Sequence, residues 1–119
     1  MTTANIFQHE PHVETFQAGQ LIFCQGDPGE VMYVVQEGEV DLLLNEQLLE
    51  TVGPGGILGE LALLEAAARS ATAIARTDCR LARLNLTRFK VHVHHTPYFA
   101  IQVMRMMADR LRRMNAQLS

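Results

Sequence analysis

The sequence predicts a mainly β domain, an antiparallel barrel or sandwich with flanking helices, and three observations carry that expectation. Short apolar runs recur between residues 16 and 86, each closed by turn residues. Within several of these runs the apolar positions fall two apart, the period of a half-buried strand. After Pro97 the period changes to that of a helix running to the C-terminus.

Leu21-Ile22-Phe23-Cys24 is the first strand-like run, closed by the breaker-rich Gln25-Gly26-Asp27-Pro28-Gly29. Val31-Met32-Tyr33-Val34-Val35 follows, ended by Gln36-Glu37-Gly38. Val40, Leu42 and Leu44 alternate, and Asn45-Glu46 suits a tight reversal into Gln47-Leu48-Leu49-Glu50-Thr51-Val52. Gly53-Pro54-Gly55-Gly56 interrupts any regular element. Residues 71–75 and 80–86 supply two more strands. Residues 60–68 consist almost wholly of strong helix formers, yet are too few for a helix that stands alone. A turn or two held by its surroundings is expected there. From near Thr87 the chain leaves the β rhythm, and past Pro97 the residues Met104, Met107, Leu111, Met114 and Leu118 step by three and four, the spacing of a coiled-coil seam.

With 119 residues, the chain fits one domain spanning 1–119: an N-terminal segment 1–15, a β region 16–86 and helices 87–119. At 48% hydrophobic and 19% charged it has the material for one packed core. A formal charge of −3 argues against general affinity for nucleic acid. No run approaches the roughly 20 apolar residues of a membrane span, and the first residues lack the order of a signal peptide. Cys24 and Cys79 form no cluster and read as buried reduced thiols. A soluble, cytoplasmic domain is expected.

Chemistry concentrates between Gly59 and Ala73. A glycine-rich turn ends at Gly59 and a short helix begins at once, leaving its first N–H groups unpaired at the positive end of the helix dipole. Such a terminus favours an anion, phosphate above all. Ten residues after Gly59 stands Arg69, the only cation between Gly59 and Ala75, among small neighbours that leave room for paired N–H bonds to phosphate oxygens. Glu60, an acceptor-only carboxylate, suits sugar hydroxyl donors. A ribose phosphate would satisfy all three features. The same residues also fit a plainer reading, with Glu60 favouring the helix start and Arg69 pairing with Glu60 or Glu65 on the surface.

Gly59-Glu60-Leu61-Ala62-Leu63-Leu64 followed by Arg69-Ser70-Ala71-Thr72-Ala73 resembles the phosphate-binding cassette of the cyclic nucleotide-binding domain. That family includes bacterial catabolite activators, regulatory subunits of cyclic-AMP-dependent kinase and nucleotide-gated channels. Gln25-Gly26-Asp27 and the run from Val31 to Val40 resemble the family's glycine-marked turns and strands. Pro97 and Ala108-Asp109-Arg110-Leu111 resemble its closing helices. The resemblance implies an eight-stranded antiparallel β-roll of the jelly-roll type, a double-stranded β-helix, with the cassette at 59–73. It also implies a non-enzymatic regulatory module whose ligand is cyclic AMP or cyclic GMP and whose C-terminal helix moves on binding.

Carried over by position, the ligand-binding set is Gly59, Glu60, Leu61, Ala62, Arg69, Ser70 and Ala71. Glu60 would accept from the ribose 2′-hydroxyl and Arg69 would pair with the exocyclic phosphate oxygens. The amides near Gly59, Leu61 and Ala62, with that of Ser70, would complete the cradle. The Ser70 hydroxyl permits cyclic GMP without excluding cyclic AMP. Met114 and Asn115 fall where the bacterial activators cap the base. Two positions depart from the family pattern: Ala68 stands where many members have proline, and Leu58 replaces a common aromatic residue. Members that regulate transcription continue into a helix-turn-helix domain, and this sequence reads to Ser119 without one.

Other signals are weaker. His92-Val93-His94-His95 could suit a metal, but no third ligand lies at a helpful spacing, so an exposed, partly helical linker is expected. Hydrolysis would need a metal-activated water, and no ligand set for one is present. Arg105, Arg110, Arg112 and Arg113 read as a solvated basic face near a helix end. The methionine and leucine stripe fits packing on the chain's own barrel or against a second copy, and homodimer contact is the favoured expectation. A β-roll that binds no ligand and serves only to dimerise or interact is the alternative function.

Overall fold

The computed structural model describes residues 10–65 and 67–118. Residues 1–9 of the expected N-terminal segment, Ala66 of the helix-forming run and Ser119 lie outside the described residues. In chain order the elements are β1 (Val13–Phe16), β2 (Leu21–Phe23), β3 (Met32–Glu37), β4 (Val40–Leu44), β5 (Gln47–Val52) and β6 (Ile57–Leu58). They continue with α1 (Glu60–Glu65), β7 (Thr72–Ala75), β8 (Cys79–Leu84), α2 (Leu86–His95) and α3 (Tyr98–Leu118). The strands form two four-stranded sheets, ordered β1-β8-β3-β6 and β2-β7-β4-β5. Every pairing is antiparallel. The mainly β roll with flanking helices is therefore the observed architecture.

The burial of β3 explains why its sequence shows no polar alternation. Val31, Tyr33 and Val35 face the interior of the roll, packed with Phe16, Phe23, Leu42 and Leu81. Met32 and Val34 point the other way, into a second core with Ile57, Leu63, Leu84, Phe99 and Val103. A strand buried on both faces reads as a continuous apolar run. Strand β8 divides in the same manner, Cys79 and Leu81 inward and Ala82 and Leu84 toward the helices. At the β4–β5 hairpin, Asn45 and Glu46 both take positive φ, 51° and 69°, as a two-residue reversal requires.

Four sequence expectations need correction. Strand β1 begins within the expected N-terminal segment, as Val13–Phe16 pairs with β8 along Val13↔Ala82 to Phe16↔Cys79. The last strand ends at Leu84, and Asn85 caps α2 by accepting from the Arg88 backbone N–H at 2.8 Å. Residues 92–95 belong to a regular helix rather than a partly helical linker. His92 within it is half-buried, with Nε2 2.8 Å from Glu10 Oε2, whereas His94 and His95 are exposed. Cys24 is exposed rather than buried, while Cys79 is buried as expected.

The stripe on α3 is divided, with Met107 packed against the roll, Met114 lining a pocket and Met104 and Leu111 exposed. The helix packs against the roll through Phe99 and Val103, with Met106 and Met107 half-buried beside them. Met104 and Leu111 are 55% and 58% exposed. Nothing is described for the Leu118 side chain. Among the described residues, no helix is long and apolar enough to cross a membrane.

Candidate functional site

The cassette forms one wall of a cleft between the roll and α3. Gly59, Glu60, Leu61, Ala62, Arg69, Ser70 and Ala71 all line it, together with Phe23 and Leu42 from the roll and Arg110 and Met114 from α3. The cavity it encloses is small, about 20 Å³. Asn115, expected beside Met114, is exposed and is not among the lining residues.

Gly59 makes the corner possible. Its φ of 77° lies in the left-handed region, so strand β6 turns directly into α1 at a residue without a Cβ. The loop after α1 is fixed to the β2–β3 turn by two backbone bonds. The Arg69 N–H donates to Asp27 O at 2.8 Å, and the Gly26 N–H donates to Arg69 O at 2.8 Å. These bonds return the chain to the roll and bring Arg69 under the cassette.

Arg69 is 6% exposed. Its Nη1 donates to Val31 O at 2.7 Å and to Gly59 O at 3.2 Å, and its Nε is buried without a hydrogen-bond partner. Its Cζ stands 4.3 Å above the Phe23 ring centroid. A Cβ at Gly59 would overlap Nη1 and one at Gly29 would overlap Nε, so two glycines define the slot for the guanidinium. Among the described residues Arg69 has no salt bridge; the surface pairing with Glu60 or Glu65 is not formed. Burial pushes its pKa down, while Tyr33, Asp27 and Glu60 act in the opposite direction. Arginine nevertheless stays charged at neutral pH. The result is a desolvated cation held by carbonyl dipoles and an aromatic face, with no carboxylate in salt-bridge contact among the described residues.

Glu60, the first residue of α1, is 4% exposed, and its partner is Arg110. Arg110 Nη1 donates to Glu60 Oε1 at 2.9 Å and Oε2 at 3.0 Å, and Nη2 donates to Ile57 O at 2.7 Å. Arg110 Nε also donates to Glu50 Oε1. Burial alone would lower the Arg110 pKa, but Glu60 and Glu50 outweigh it and hold the pKa above the ordinary value. The expected solvated basic face is therefore wrong for Arg110, which is 7% exposed, because its helix turns it toward two carboxylates. Arg105, Arg112 and Arg113 are exposed as expected.

Sequence reasoning missed Arg110, Glu50 and Phe23 as parts of this corner. A signal for Arg110 was present. Phe99, Val103 and Arg110 fall on one helical stripe, and a single charge on a buried stripe needs a buried partner. Among the described residues no group of three His, Cys, Asp or Glu side chains is placed to hold a metal.

Comparison with known proteins gives consistent matches. The family model described as cyclic nucleotide-binding domain matches residues 13–93. A cAMP-dependent protein kinase regulatory subunit from Eremothecium gossypii is 44% identical over 72 residues, which are 60% of this chain and 16% of that protein. The Thermus thermophilus catabolite activator protein superposes with a TM-score of 0.78 at 30% identity, covering 98% of this chain and 55% of that one. A structure from work on a cyclic-GMP-dependent signalling pathway that regulates bacterial phytopathogenesis gives a TM-score of 0.68 at 35% identity. It covers 96% of this chain and 89% of that chain. The chain thus spans about a sixth of the length of the kinase subunit and just over half that of the activator.

Proposed function

The chain belongs to the cyclic nucleotide-binding domain family, and from that premise we propose that its cleft takes cyclic AMP or cyclic GMP as the signal of a non-enzymatic regulatory module. One observation carries the reading to these residues. Arg69 lines the cleft as a buried cation that has no salt bridge to a carboxylate among the described residues, and its Nε has no hydrogen bond there. Leaving a buried donor unpaired costs about 1–3 kcal/mol, so an anion that pairs with this guanidinium recovers that cost.

The remaining roles follow from position. The cyclic phosphate sits against Arg69, with the amides of the Gly59–Ala62 corner and of Ser70 and Ala71 around it. The ribose 2′-hydroxyl donates to Glu60. Met114 packs on the base, and Asn115 reaches it only if α3 shifts. Glu60 is shared between the ribose and Arg110, so binding is felt directly by α3. Displacement or tightening of that helix is the output. A ligand drives such a change only through different affinities for the two helix positions.

Isothermal titration of the purified protein, confirmed free of carried-over nucleotide, with cyclic AMP and then cyclic GMP tests the reading. Saturable binding of at least one nucleotide is expected, and no binding of either contradicts it.

Ile101, Met104 and Leu111 are 40%, 55% and 58% exposed on α3, which supports pairing of this helix with the same helix of a second copy. A domain that only dimerises would keep this face but would not need an unpaired cation in the cleft.

A further inference from the structure

Arg69 would be a poor phosphate ligand if its guanidinium were free to wander or were neutralised by a carboxylate. We propose that Phe23 is the positioning residue that holds this guanidinium in place for the phosphate of a cyclic nucleotide; the role rests on the ligand reading above. The Phe23 ring lies 4.3 Å from Arg69 Cζ and lines the same cleft. Behind it Tyr33 stacks at 6.4 Å with an interplanar angle of 20°, and Phe16 meets Tyr33 edge-on at 6.4 Å and 87°. All three rings belong to the core of the roll, so the face offered to Arg69 is fixed by packing.

An aromatic face attracts a cation through its quadrupole, yet it carries no net charge. It fixes the plane of the guanidinium without competing for the N–H groups that an anion needs. Val31 O and Gly59 O anchor only Nη1. Gly29 and Gly59 leave the space on two sides that lets the group sit over the ring. Phe23 therefore supplies the remaining constraint, and it limits the entropy lost when the phosphate arrives.

The experiment compares Phe23→Leu, Phe23→Tyr and Phe16→Leu by calorimetric titration with cyclic AMP and cyclic GMP. It also records Arg69 side-chain Nε–H nuclear magnetic resonance spectra and melting curves. Phe23→Leu is expected to weaken binding about fivefold to tenfold, the size of a partly desolvated cation–π contact. Phe23→Tyr should restore affinity to within about twofold, since it keeps the aromatic face. Phe16→Leu removes a ring from the same core that makes no contact with Arg69, so it should lower the melting temperature while weakening binding far less than Phe23→Leu. In the spectrum, the Arg69 Nε–H should carry a ring-current shift that Phe23→Leu abolishes. Equal loss of affinity in Phe16→Leu and Phe23→Leu would overturn the proposal, as would an unshifted Arg69 signal in the unsubstituted protein. If that protein binds neither nucleotide while its Arg69 signal is shifted, the ligand reading fails and the role falls with it, although the stacking stands.

Discussion

Arg110 Nη1 donates to both carboxylate oxygens of Glu60, at 2.9 Å and 3.0 Å, so the last helix is ion-paired to the first residue of the cassette helix. The side chains of Arg110 and Glu60 are only 9% and 5% exposed. A pair this dry is sensitive to the loss of one member, because the other is left charged and uncompensated. It also places the proposed ribose acceptor and the proposed output helix in one contact.

Replacing Arg110 with methionine should therefore cost about 3 kcal/mol in unfolding free energy, since Glu60 and Glu50 would both lose their cation. Urea denaturation measures this directly. Limited proteolysis should cut first near α3, whose other anchors are mainly Phe99 and Val103. An Arg110→Met protein as stable as the original would show that the pair holds nothing.

The ribose role of Glu60 predicts a specific coupling. A 2′-deoxy cyclic nucleotide should bind the unsubstituted protein at least tenfold more weakly, the worth of about 1.5 kcal/mol for a hydrogen bond to a charged acceptor. In Glu60→Gln the same deletion should matter much less, because the acceptor is no longer charged. Competition binding with the four protein–ligand combinations measures the coupling. Equal losses in both proteins would separate Glu60 from the 2′-hydroxyl.

Acid stability should depend on Glu10. Its side chain is 1% exposed and accepts from Arg88 Nε at 3.1 Å and Nη2 at 2.9 Å, with His92 Nε2 at 2.8 Å. Burial would raise its pKa, but hydrogen bonds and charges from Arg88 and His92 together bring it below the ordinary 4.5. A carboxylate lowered in the folded state contributes stability above its unfolded pKa and loses it as pH falls through the folded value. Glu10→Gln should thus be less stable by about 2 kcal/mol above pH 4.5, with the gap closing in more acidic solution. Denaturation curves at several pH values test the sign; a gap that widens on acidification would refute it.

The two cysteines should differ sharply toward a thiol reagent. Cys24 is exposed, whereas Cys79 is buried with its S–H directed at Glu39 O and Thr77 O, both at 3.1 Å. Burial chiefly pushes the Cys79 thiol pKa up, which lowers the fraction of reactive thiolate further. Maleimide labelling followed by mass spectrometry should find one modification in the native protein, at Cys24, and a second only in denaturant.

Much of this arrangement was legible in the residues. Alternation placed β4, turn chemistry placed the β4–β5 reversal at Asn45 and Glu46, and the cassette motif drew attention to Glu60 and Arg69. Ile57–Leu58 was not legible as a strand, since two residues between glycines have no period to read. Val13–Phe16 was missed because its long-range partner, β8, rather than its own sequence makes it a strand. Arg110 was misread for a related reason. A charge near a helix end has a sufficient local explanation in the helix dipole, and only the fold brings Glu50 and Glu60 to meet it. The choice between the Phe99–Val103–Arg110 face and the Met104–Leu111 face is likewise a matter of docking, because both have apolar spacing.

The most direct test sets the unsubstituted protein beside Arg69→Ala and Arg69→Lys in titrations with cyclic AMP and cyclic GMP. Saturable binding is expected in the unsubstituted protein, at least a hundredfold weaker in Arg69→Ala and intermediate in Arg69→Lys, which keeps the charge but loses the planar fork, at about 3 kcal/mol for the charge-assisted contact. Undiminished binding in Arg69→Ala, or no binding in any of the three, would contradict a cyclic phosphate held by Arg69.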